Sequence, residues 1–439
     1  MKFVTGESRK TAAYEQLAGG GLNNRPVTLH GAVHALRDMG GLVFLTLRLA
    51  RGAVQCVCPP EALPEGLCEE CCVELTGTVR EEKRAPGGFE VGVERITALS
   101  FPAAPMPVPV GKRKPELNLD TELALRPVVL RRLKQRSVFK VQEGLVRGFR
   151  EYLTGEGFTE VHTPKIVHAG AEGGSNIFRL DYFGKKAYLA QSPQFYKQTM
   201  AGVYERVFEV GPVFRAEKHS TARHLNEYTG LDFEMGYIRS FYDVIEMETG
   251  YLRYAMELLA REYAAELELL GVELPDASRI PCLRFDKAKR LAAAKYGCQI
   301  RDPYDLEPEE EARIGQYVKE EWGSDFVFVT HYPSKKRPFY AMDDPDDPKY
   351  TLSFDLLFRG MEVTTGGQRI HSYAEQAAKM ERRGMDPAGF ESYLMIHRHG
   401  MPPHGGLGIG LERLTMKLCA LENVRYASLF PRDRSRLEP

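Results

Sequence analysis

The sequence predicts two folded parts: a small all-β barrel at the N-terminal end and a larger α+β domain built on an antiparallel sheet. Two observations support this fold class. Apolar and polar residues alternate with period two over 26–103, and glycine pairs at 40–41 and 87–88 break the pattern into short segments. Beyond about residue 150, strand-like segments often follow one another without an intervening helical segment, which is typical of antiparallel sheets.

The N-terminal part contains five strand-like segments within about 80 residues. These segments are PVTLHGAVHAL, GLVFLTLRLA, GAVQCVCP, CCVELTGTVRE and GFEVGVERITALS. Five strands of this length are typical of an OB-type barrel, a fold that often binds single-stranded nucleic acid. Because unrelated functions share the same folds, the barrel alone does not assign this function.

The overall composition is that of a globular protein with almost no net charge. Among 439 residues, 59 are Lys or Arg, 60 are Asp or Glu, and 43% are hydrophobic. This balance excludes binding to nucleic acid by bulk charge, and it excludes disordered and fibrous classes. The longest uncharged apolar stretch, 101–110, is too short for a membrane span, and the first residues show no secretory pattern. We therefore expect a cytoplasmic protein without a membrane partner.

The charge is unevenly distributed along the chain. Residues 1–103 carry a net charge of −1, residues 112–150 carry +7, and residues 151–439 carry −7. The proline-rich and then basic stretch 104–127 is predicted to be a hinge between a barrel domain at 1–103 and a catalytic domain at 128–439. The basic segment has two interpretations that stay open. It is either a contact for a polyanion or the solvated face of a helix. The apolar stripe of that helix is Val138, Val141, Leu145, Phe149 and Leu153.

A cluster of cysteines lies between residues 56 and 72. Its members are Cys56, Cys58, Cys68, Cys71 and Cys72. The C-x-C and C-x-x-C spacings are compatible with a zinc site. We favour the alternative that Cys56 and Cys58 share one face of a strand, because the cluster contains no histidine.

Two segments are candidates for nucleotide binding. The chain has no P-loop motif, and its glycine-rich run HGGLGIGLER (404–413) lacks the third glycine of a dinucleotide-binding turn. A predicted hairpin over 207–235 carries cationic, acidic and aromatic side chains that suit a triphosphate and a base. These side chains are Arg215, Glu217, Arg223, His224 and Tyr228. The alternative is a surface hairpin held by ordinary ion pairs.

Taken together, the motifs resemble those of the class II aminoacyl-tRNA synthetases. FRAE…RHLNEYTGLDFE resembles their motif 2, GLGIGLERL resembles motif 3, and GFTEVHTPKI with Pro164 resembles motif 1, the dimer-interface element. Five further segments are similar to aspartyl-tRNA synthetases of the archaeal type, and the N-terminal barrel resembles their OB-fold anticodon-binding domain. These segments are QSPQFYKQ (191–198), RPFY (337–340), FDLLFRGMEVTTGGQRIH (354–371), GMPPHGG (400–406) and LFPRDRSRL (429–437). The resemblance covers nearly the whole chain.

This resemblance implies a reaction in which aspartate and ATP form an aspartyl-adenylate, with positioning and charge stabilisation as the main catalytic devices. Arg215 and Arg413 are the implied catalytic residues. The implied ATP-binding residues are Arg215, Glu217, Arg223, His224, Tyr228, Glu362 and Arg413. Asp355 and Glu362 are the implied Mg²⁺ ligands. Thr365 stands where related enzymes often have Ser, and both the metal and the aspartate are possible partners for it.

The resemblance also implies how aspartate is chosen. Lys197 and Arg369 would bind the side-chain carboxylate, with Arg369 in a bidentate arrangement. The ammonium would be received by Glu172, Gln194 and Asp232. Asparagine would leave one cation unpaired in a dry site, which disfavours it.

In the barrel, Phe44, Gln55 and Glu90 match positions that hold the central anticodon uridine in related proteins. His34 and Pro86 resemble the non-discriminating subfamily, which charges tRNA(Asp) and tRNA(Asn) and leaves the second product for a tRNA-dependent amidotransferase. The alternatives are a discriminating enzyme, an asparaginyl-tRNA synthetase, a synthetase-derived paralogue that works without tRNA, and a binding protein that has lost catalysis. The resemblance further implies a homodimer.

Overall fold

The chain consists of two compact units that divide between Leu133 and Lys134. The computed structural model describes residues 11–111, 117–168, 176–218 and 221–439. In this described part of the chain, no helix has the length and apolar character needed to cross a membrane.

In the first unit, five strands close into a barrel in the order β1-β2-β3-β5-β4. This topology confirms the predicted OB-type barrel. The strands are β1 (Pro26–Asp38), β2 (Val43–Arg48), β3 (Ala53–Cys58), β4 (Cys72–Glu81) and β5 (Phe89–Ser100). The helices of this unit are α1 (Tyr14–Ala18), α2 (Leu119–Ala124) and α3 (Arg126–Val129).

The barrel interior follows directly from the period-two pattern. Alternate residues of each strand point inwards, as in β3, where Val54, Cys56 and Cys58 are buried and their neighbours are partly exposed. Packing in the barrel core thus accounts for Cys56 and Cys58. In the connection to β4, the sulfur atoms of Cys68 and Cys71 lie 3.5 Å apart. Across the described residues, no group of three or more His, Cys, Asp or Glu side chains is arranged to hold a metal ion.

Much of the basic segment that follows the barrel is neutralised by carboxylates. Arg131 contacts Glu70 at 3.1 Å, and Arg132 contacts Glu122 at 3.2 Å, both within the first unit. In the second unit, helix α4 (Leu133–Gly155) continues this segment with further pairs. They are Lys140 with Glu143, Arg147 with Glu151, and Arg150 with Glu160. Residues 112–116, the most basic part of the segment, lie outside the described residues.

The second unit is built on an eight-stranded sheet in the order β12-β13-β14-β15-β16-β11-β10-β6, in which only β12/β13 and β10/β6 pair in parallel. A second sheet has the order β7-β9-β8. These α+β elements confirm the predicted fold class. The strands are β6 (Thr159–Glu160), β7 (Ile166–Val167), β8 (Arg179–Tyr182), β9 (Lys185–Leu189), β10 (Arg206–Phe214), β11 (Glu227–Gly236), β12 (Cys282–Arg284), β13 (Phe326–Thr330), β14 (Ser353–Phe358), β15 (Met361–Arg369) and β16 (His404–Gly410).

Helices α4 and α6 pack against the large sheet and form its core with it. The predicted apolar stripe of α4 is buried, and Phe149 contacts the ring of Tyr251 on α6 at a centroid distance of 5.0 Å. Gly144 permits this close packing, because a Cβ there would lie 2.5 Å from Leu259. The remaining helices are α5 (Gln194–Tyr204), α6 (Tyr242–Glu262), α7 (Ala264–Leu270), α8 (Phe285–Tyr296), α9 (Pro308–Trp322), α10 (Tyr373–Arg382), α11 (Glu391–His399) and α12 (Leu411–Leu418).

Candidate active site

The second unit contains a cavity of about 880 Å³ whose walls come from the central strands of the large sheet, α5 and α12. Residues predicted for the nucleotide, the metal and the amino acid all line this one cavity. They are Gln194, Lys197, Arg215, Glu217, Arg223, His224, Tyr228, Asp232, Asp355, Glu362, Thr365, Arg369 and Arg413. Glu172 lies outside the described residues.

Strand register explains why residues distant in sequence meet in this cavity. Strands β10 and β11 form the predicted hairpin, so Arg215 follows β10 directly while Tyr228 and Asp232 lie on the returning strand. On β14 and β15, Asp355 lies directly opposite Thr365. Strand β16 leads into α12, whose first turn carries Arg413.

One end of the cavity is rich in arginine. Arg413 donates from Nη1 to the carbonyl oxygen of Glu362 at 3.2 Å and lies 3.5 Å from its carboxylate. Its Nε donates to the carbonyl oxygen of Arg223 at 3.3 Å, and Arg223 in turn pairs with Glu311 of α9. Burial alone would raise the pKa of Glu362, but Arg413 and the other nearby guanidinium groups hold it below its ordinary value. Glu362 therefore carries a negative charge among cations, as a ligand of a phosphate-bound cation requires.

Asp355 is the second carboxylate at this end. Its Oδ2 lies 2.7 Å from Nη2 of Arg337, and its Oδ1 has no hydrogen-bond partner among the described residues. Burial and the charge of Glu362 raise its pKa to about 6, although Arg337 opposes the shift. Thr365 donates to Oε1 of Glu362 at 3.3 Å. Two carboxylates and a hydroxyl form a set of hard oxygen donors that fits Mg²⁺.

Arg337 is a cavity residue to which the sequence analysis assigned no role. Its guanidinium carbon lies 3.9 Å from the ring centroid of Tyr332, so the cation is stacked on an aromatic face while it reaches Asp355. The RPFY segment was recognised as a family feature, but no local pattern indicates that its arginine meets a strand residue 18 positions further along the chain.

Three of the residues that line the cavity, Lys197, Asp232 and Arg369, are buried and charged, and they contact a fourth buried charge, Glu234, which does not line it. Lys197 donates to Oδ1 of Asp232 and to the carbonyl oxygen of Leu407, both at 2.8 Å. Arg369 donates from Nε to Glu234 at 3.0 Å and from Nη2 to the carbonyl oxygen of Gly406 at 2.8 Å. Glu234 also lies 3.7 Å from Lys197. We call these residues, Lys197, Asp232, Glu234 and Arg369, the charge quartet.

Glu234 is a second residue that the sequence analysis missed. It is fully buried and joins the two cations of the quartet. Glu234 stands two residues after Asp232 on β11, so both carboxylates lie on one face of the strand. The alternation of side chains along a strand could have predicted this from the sequence.

Gln194 begins α5 beside the quartet. It is buried, and its Nε2 has no hydrogen-bond partner in the part of the chain that the structure describes. Because Nε2 is a donor, an acceptor atom of a ligand would satisfy it, whereas an ammonium group could pair only with the amide oxygen of Gln194. Burial also raises the pKa of Asp232, although the ammonium of Lys197 opposes this shift.

Two further regions border the part of the cavity that contains the predicted nucleotide-binding residues. Glu217 accepts a hydrogen bond from Nδ2 of Asn176 at 3.4 Å, and Nδ1 of His224 lies 2.6 Å from the hydroxyl of Thr221. Tyr228 packs against a small apolar cluster that includes Leu225. The side chains of Glu217 and His224 are thus polar and hydrogen-bonded, while the ring of Tyr228 offers an apolar face.

The first unit carries the residues predicted to contact an anticodon. Gln55 donates to Oε2 of Glu90 at 2.9 Å, and Phe44 lies beside them on the same outer face of the barrel. His34 lies at a register irregularity between Val33 and Ala35, where a bulge re-aims a side chain. Its Nδ1 is 3.2 Å from Nη1 of Arg48.

The two remaining predicted residues are prolines at exposed positions. Pro86 lies in the turn between β4 and β5. Pro164, in the second unit and outside the cavity, stands between Thr163 and Lys165, which both donate to Glu209 of β10. Neither proline is buried, so both are available to a partner.

Comparison with known proteins places this architecture in a family. A family model described as tRNA synthetases class II (D, K and N) matches residues 118–434, and one described as an OB-fold nucleic acid binding domain matches residues 27–99. The chain belongs to the class II aminoacyl-tRNA synthetases of this group, which confirms the resemblance found in the motifs.

Two named relatives and one solved structure are similar to almost the whole chain. The aspartate–tRNA(Asp/Asn) ligase of Deinococcus radiodurans is 50% identical over 419 residues, which are 94% of this chain and 95% of that protein. The enzyme of the same name from Thermus thermophilus is 49% identical over 94% of this chain and 96% of its own. Among solved structures, asparaginyl-tRNA synthetase from Pyrococcus horikoshii complexed with asparaginyl-adenylate has a TM-score of 0.88 and 31% identity, covering 98% of this chain and 100% of that one.

Proposed function

We propose that this chain is an aspartate–tRNA ligase that forms an aspartyl-adenylate from aspartate and ATP and transfers the aspartyl group to tRNA. The charge quartet carries the choice of aspartate. Its two cations lie side by side in a buried site, and each is oriented by a carboxylate. A substrate carboxylate gains charge-assisted hydrogen bonds there that a neutral amide does not replace.

In the first step, an oxygen of the α-carboxylate of aspartate attacks the α-phosphorus of ATP, and pyrophosphate leaves. In the second step, a ribose hydroxyl of the tRNA attacks the carbonyl carbon of the adenylate, and AMP leaves. Arg215 holds the α-phosphate and stabilises the charge that develops on it, while Glu217 accepts from the adenine amino group. His224 and Arg223 hold the outer phosphates. Arg413 does the same and stacks on the adenine opposite Tyr228.

The binding of Mg²⁺ belongs to the same proposal. Asp355, Glu362 and Thr365 would hold the ion, which supplies charge neutralisation to the ATP phosphates when bound. The unpartnered Oδ1 of Asp355 and the ionised state of Glu362 support this assignment. Gln194, Asp232 and Glu172 are the residues we assign to the substrate ammonium.

Lys197→Met tests the choice of amino acid. The methionine keeps most of the side-chain volume but removes the ammonium, so aspartate-dependent ATP–pyrophosphate exchange should fall by at least about a hundredfold. Lys379→Met is the matched control, because Lys379 is also a buried lysine of this unit and does not line the cavity. Near wild-type aspartate kinetics in Lys197→Met, or faster exchange with asparagine than with aspartate in the wild type, would contradict the proposal.

We further propose that the enzyme charges both tRNA(Asp) and tRNA(Asn). The support is the pair His34 and Pro86 in the barrel, together with the names of the relatives that share half of the sequence. Phe44, Gln55 and Glu90 would hold the central anticodon base. Parallel aminoacylation of the two transcripts should give kcat/KM values within about tenfold of each other. A preference of several hundredfold for tRNA(Asp) would identify the discriminating form instead.

Two partners follow from this proposal. Aspartyl-tRNA(Asn) is not a finished product, so a tRNA-dependent amidotransferase is the expected consumer. A homodimer is expected through Pro164 and its flanking strands, where Ile166, Tyr182 and Phe183 are exposed. Sedimentation equilibrium at micromolar concentration should give twice the chain mass of 49.5 kDa. We assign residues 1–103 to the anticodon-binding domain, 104–127 to the hinge and 128–439 to the catalytic domain.

A further inference from the structure

Two cysteines of the first unit form a thiol pair that the proposed function does not use. Cys68 is exposed and Cys71 is fully buried, and their sulfur atoms lie 3.5 Å apart, in hydrogen-bond contact. Both cysteines are free thiols. An accessible thiol beside a second, resolving thiol is the arrangement found where cysteines are oxidised reversibly.

The backbone between the two cysteines is suited to a disulfide bond. The amide of Cys71 donates to the carbonyl oxygen of Cys68 at 3.2 Å, which closes residues 68–71 into a turn. The amide of Cys68 donates to Sγ of Cys71 at 3.4 Å. The ends of a four-residue turn have Cα atoms within about 7 Å of each other, and disulfides bridge Cα atoms about 4.4–6.8 Å apart. The sulfur atoms therefore need only approach from 3.5 Å to about 2 Å.

The same turn carries a buried carboxylate, Glu70, in a constrained conformation. Its φ is +69°, in the left-handed region that disfavours residues other than glycine. Its amide donates to the carbonyl oxygen of Val33 at 2.7 Å, and the amide of Val33 donates to the carbonyl oxygen of Cys71 at 2.9 Å. Because Glu70 lies between the two cysteines, a bond that draws their sulfur atoms together shifts Glu70 as well.

Glu70 orients a buried cation next to His34. Its carboxylate oxygens accept from Nη1 and Nη2 of Arg48 at 2.5 and 2.7 Å, and Arg131 adds a contact at 3.1 Å. Burial alone would raise the pKa of Glu70, but Arg48 and Arg131 hold it below its ordinary value. Nη1 of Arg48 lies 3.2 Å from Nδ1 of His34. A displacement of Glu70 is thus transmitted to His34 through one guanidinium group.

From this geometry we infer that Cys68 and Cys71 form a redox-active dithiol that a low-molecular-weight disulfide oxidises. The new disulfide bond displaces Glu70 and, through Arg48, moves His34 out of its place in tRNA recognition. Oxidation therefore weakens the charging of tRNA and leaves adenylate formation intact. This inference rests on the proposed function, because it takes His34 as a residue that contacts the anticodon.

The oxidation consists of two exchange steps. The Cys68 thiolate attacks one sulfur of the small disulfide R–S–S–R, whose S–S bond breaks, so that a mixed disulfide forms on Cys68 and one R–S⁻ leaves. The Cys71 thiolate then attacks the sulfur of Cys68, which forms the Cys68–Cys71 bond and releases the second R–S⁻. Two cysteine thiols are oxidised, one small disulfide is reduced to two thiols, and the two cysteine protons end on these thiols. An excess of small thiol reverses the reaction.

Incubation of the full-length protein with glutathione disulfide tests the dithiol. The hydrogen bond with Cys71 raises the pKa of Cys68, so the incubation is run at mildly alkaline pH, where more thiolate is present. Mass spectrometry after alkylation should show an internal disulfide in wild type, with no glutathione retained on Cys68, and dithiothreitol should restore both thiols. Cys68→Ser should form no internal disulfide. The matched control Cys72→Ser removes the neighbouring exposed cysteine and should still form it.

Two outcomes of this experiment would overturn the inference. One is a glutathione adduct that remains on Cys68, since Cys71 would then not resolve it. The other is an internal disulfide that forms in Cys68→Ser as readily as in wild type, because the partners would then be other cysteines.

The oxidised samples also test the effect on tRNA. Oxidation of wild type and of Cys72→Ser should lower kcat/KM for tRNA about 3- to 30-fold, because a contact displaced by a fraction of an ångström loses part of its free energy. Aspartate-dependent ATP–pyrophosphate exchange should stay within about twofold of the reduced protein. Cys68→Ser should charge tRNA like the reduced wild type, with or without the oxidant.

Unchanged charging by a protein that contains the Cys68–Cys71 disulfide would overturn the inference. Failure of the proposed function gives a different result. If the reduced wild type forms adenylate but charges no tRNA, the proposed function fails, while mass spectrometry still decides whether the disulfide forms.

Discussion

At the scale of single residues, the charge quartet is the feature on which the proposed choice of amino acid rests. Lys197 and Arg369 are recognisable from the sequence because they stand in family motifs. Glu234 stands at the end of the motif 2 segment as well, but no role was assigned to it, since its contacts are with residues 37 and 135 positions away. Glu311 lies outside the motifs and pairs with Arg223, which stands 88 positions earlier in the chain. Motifs thus point to the residues expected to touch substrate, but not to the roles of those that orient them through long-range contacts.

Glu234→Gln tests the orienting role. The substitution removes one negative charge and leaves two buried cations with a single carboxylate, so the free enzyme should lose about 3 kcal/mol of stability. Aspartate brings negative charge back into the site. It should therefore raise the melting temperature of the variant by more than that of the wild type, as measured by calorimetry with and without aspartate. An equal increase would show that Glu234 does not balance these cations.

Glu248 is a buried carboxyl group behind the active-site sheet. It accepts a hydrogen bond from Thr364 at 2.5 Å, and burial together with the charge of Asp355 raises its pKa from 4.5 to about 8. The folded protein therefore holds this proton more tightly than the unfolded chain does. Its contribution to stability is full below pH 4.5 and is lost as the pH rises to about 8.

Glu248→Gln keeps the acceptor for Thr364 and removes the titration. Its stability relative to wild type should increase by about 1–3 kcal/mol between pH 5 and pH 8. Denaturant unfolding at several pH values measures this difference. The exposed Glu257→Gln on the same helix is the control and should show no such trend. A difference independent of pH would mean that Glu248 titrates normally.

At the scale of elements, strands β11 and β16 approach unusually closely beneath the charge quartet. A Cβ at Gly406 would lie 2.2 Å from the carbonyl oxygen of Phe233 and 2.2 Å from Oε2 of Glu234. Gly406 is therefore needed for the pairing of β11 with β16. The sequence predicted the β10–β11 hairpin and the apolar stripe of α4, but residues 404–410, which form β16, were interpreted only as a glycine-rich run. The strand order was not predictable, because β16 inserts between β15 and β11 through contacts that no local pattern encodes.

Gly406→Ala tests this close approach. The added methyl group displaces backbone and Glu234, so the variant should lose about 2 kcal/mol or more of stability, and its KM for aspartate should rise. Gly389→Ala is the matched control, since a Cβ there meets nothing within 4 Å. Unfolding curves and ATP–pyrophosphate exchange for the pair measure both effects. Identical behaviour of the two variants would exclude a specific role for the β11–β16 contact.

At the scale of the whole molecule, the two units differ in how far the sequence predicted them. The period-two pattern and the glycine pairs were enough to predict the barrel, and the motifs were enough to predict the second unit. The basic segment between them was ambiguous in sequence. Arg126 and Arg132 are buried, and Arg132 is paired with Glu122 of the same segment. The partner of Arg131, Glu70, comes from the barrel part of the chain, and no local pattern indicates that contact.

Phe44→Ala tests whether the first unit contributes to tRNA recognition and not to adenylate formation. Loss of one stacked base should lower kcat/KM for tRNA by about 10- to 100-fold and leave aspartate-dependent ATP–pyrophosphate exchange unchanged. Phe101→Ala removes an exposed phenylalanine from the same unit and serves as the control. A parallel fall in both activities would indicate that the variant has lost its fold rather than an anticodon contact.

The balance of charges in the quartet also bears on competition inside a cell. Two cations and two carboxylates sum to zero before any ligand arrives. Aspartate adds one net negative charge and brings an ammonium for Asp232, whereas succinate or malate would add two negative charges and no cation. A buried site pays heavily for each uncompensated charge. Under the proposed function, we therefore expect succinate and malate to bind poorly at the residues that would disfavour asparagine.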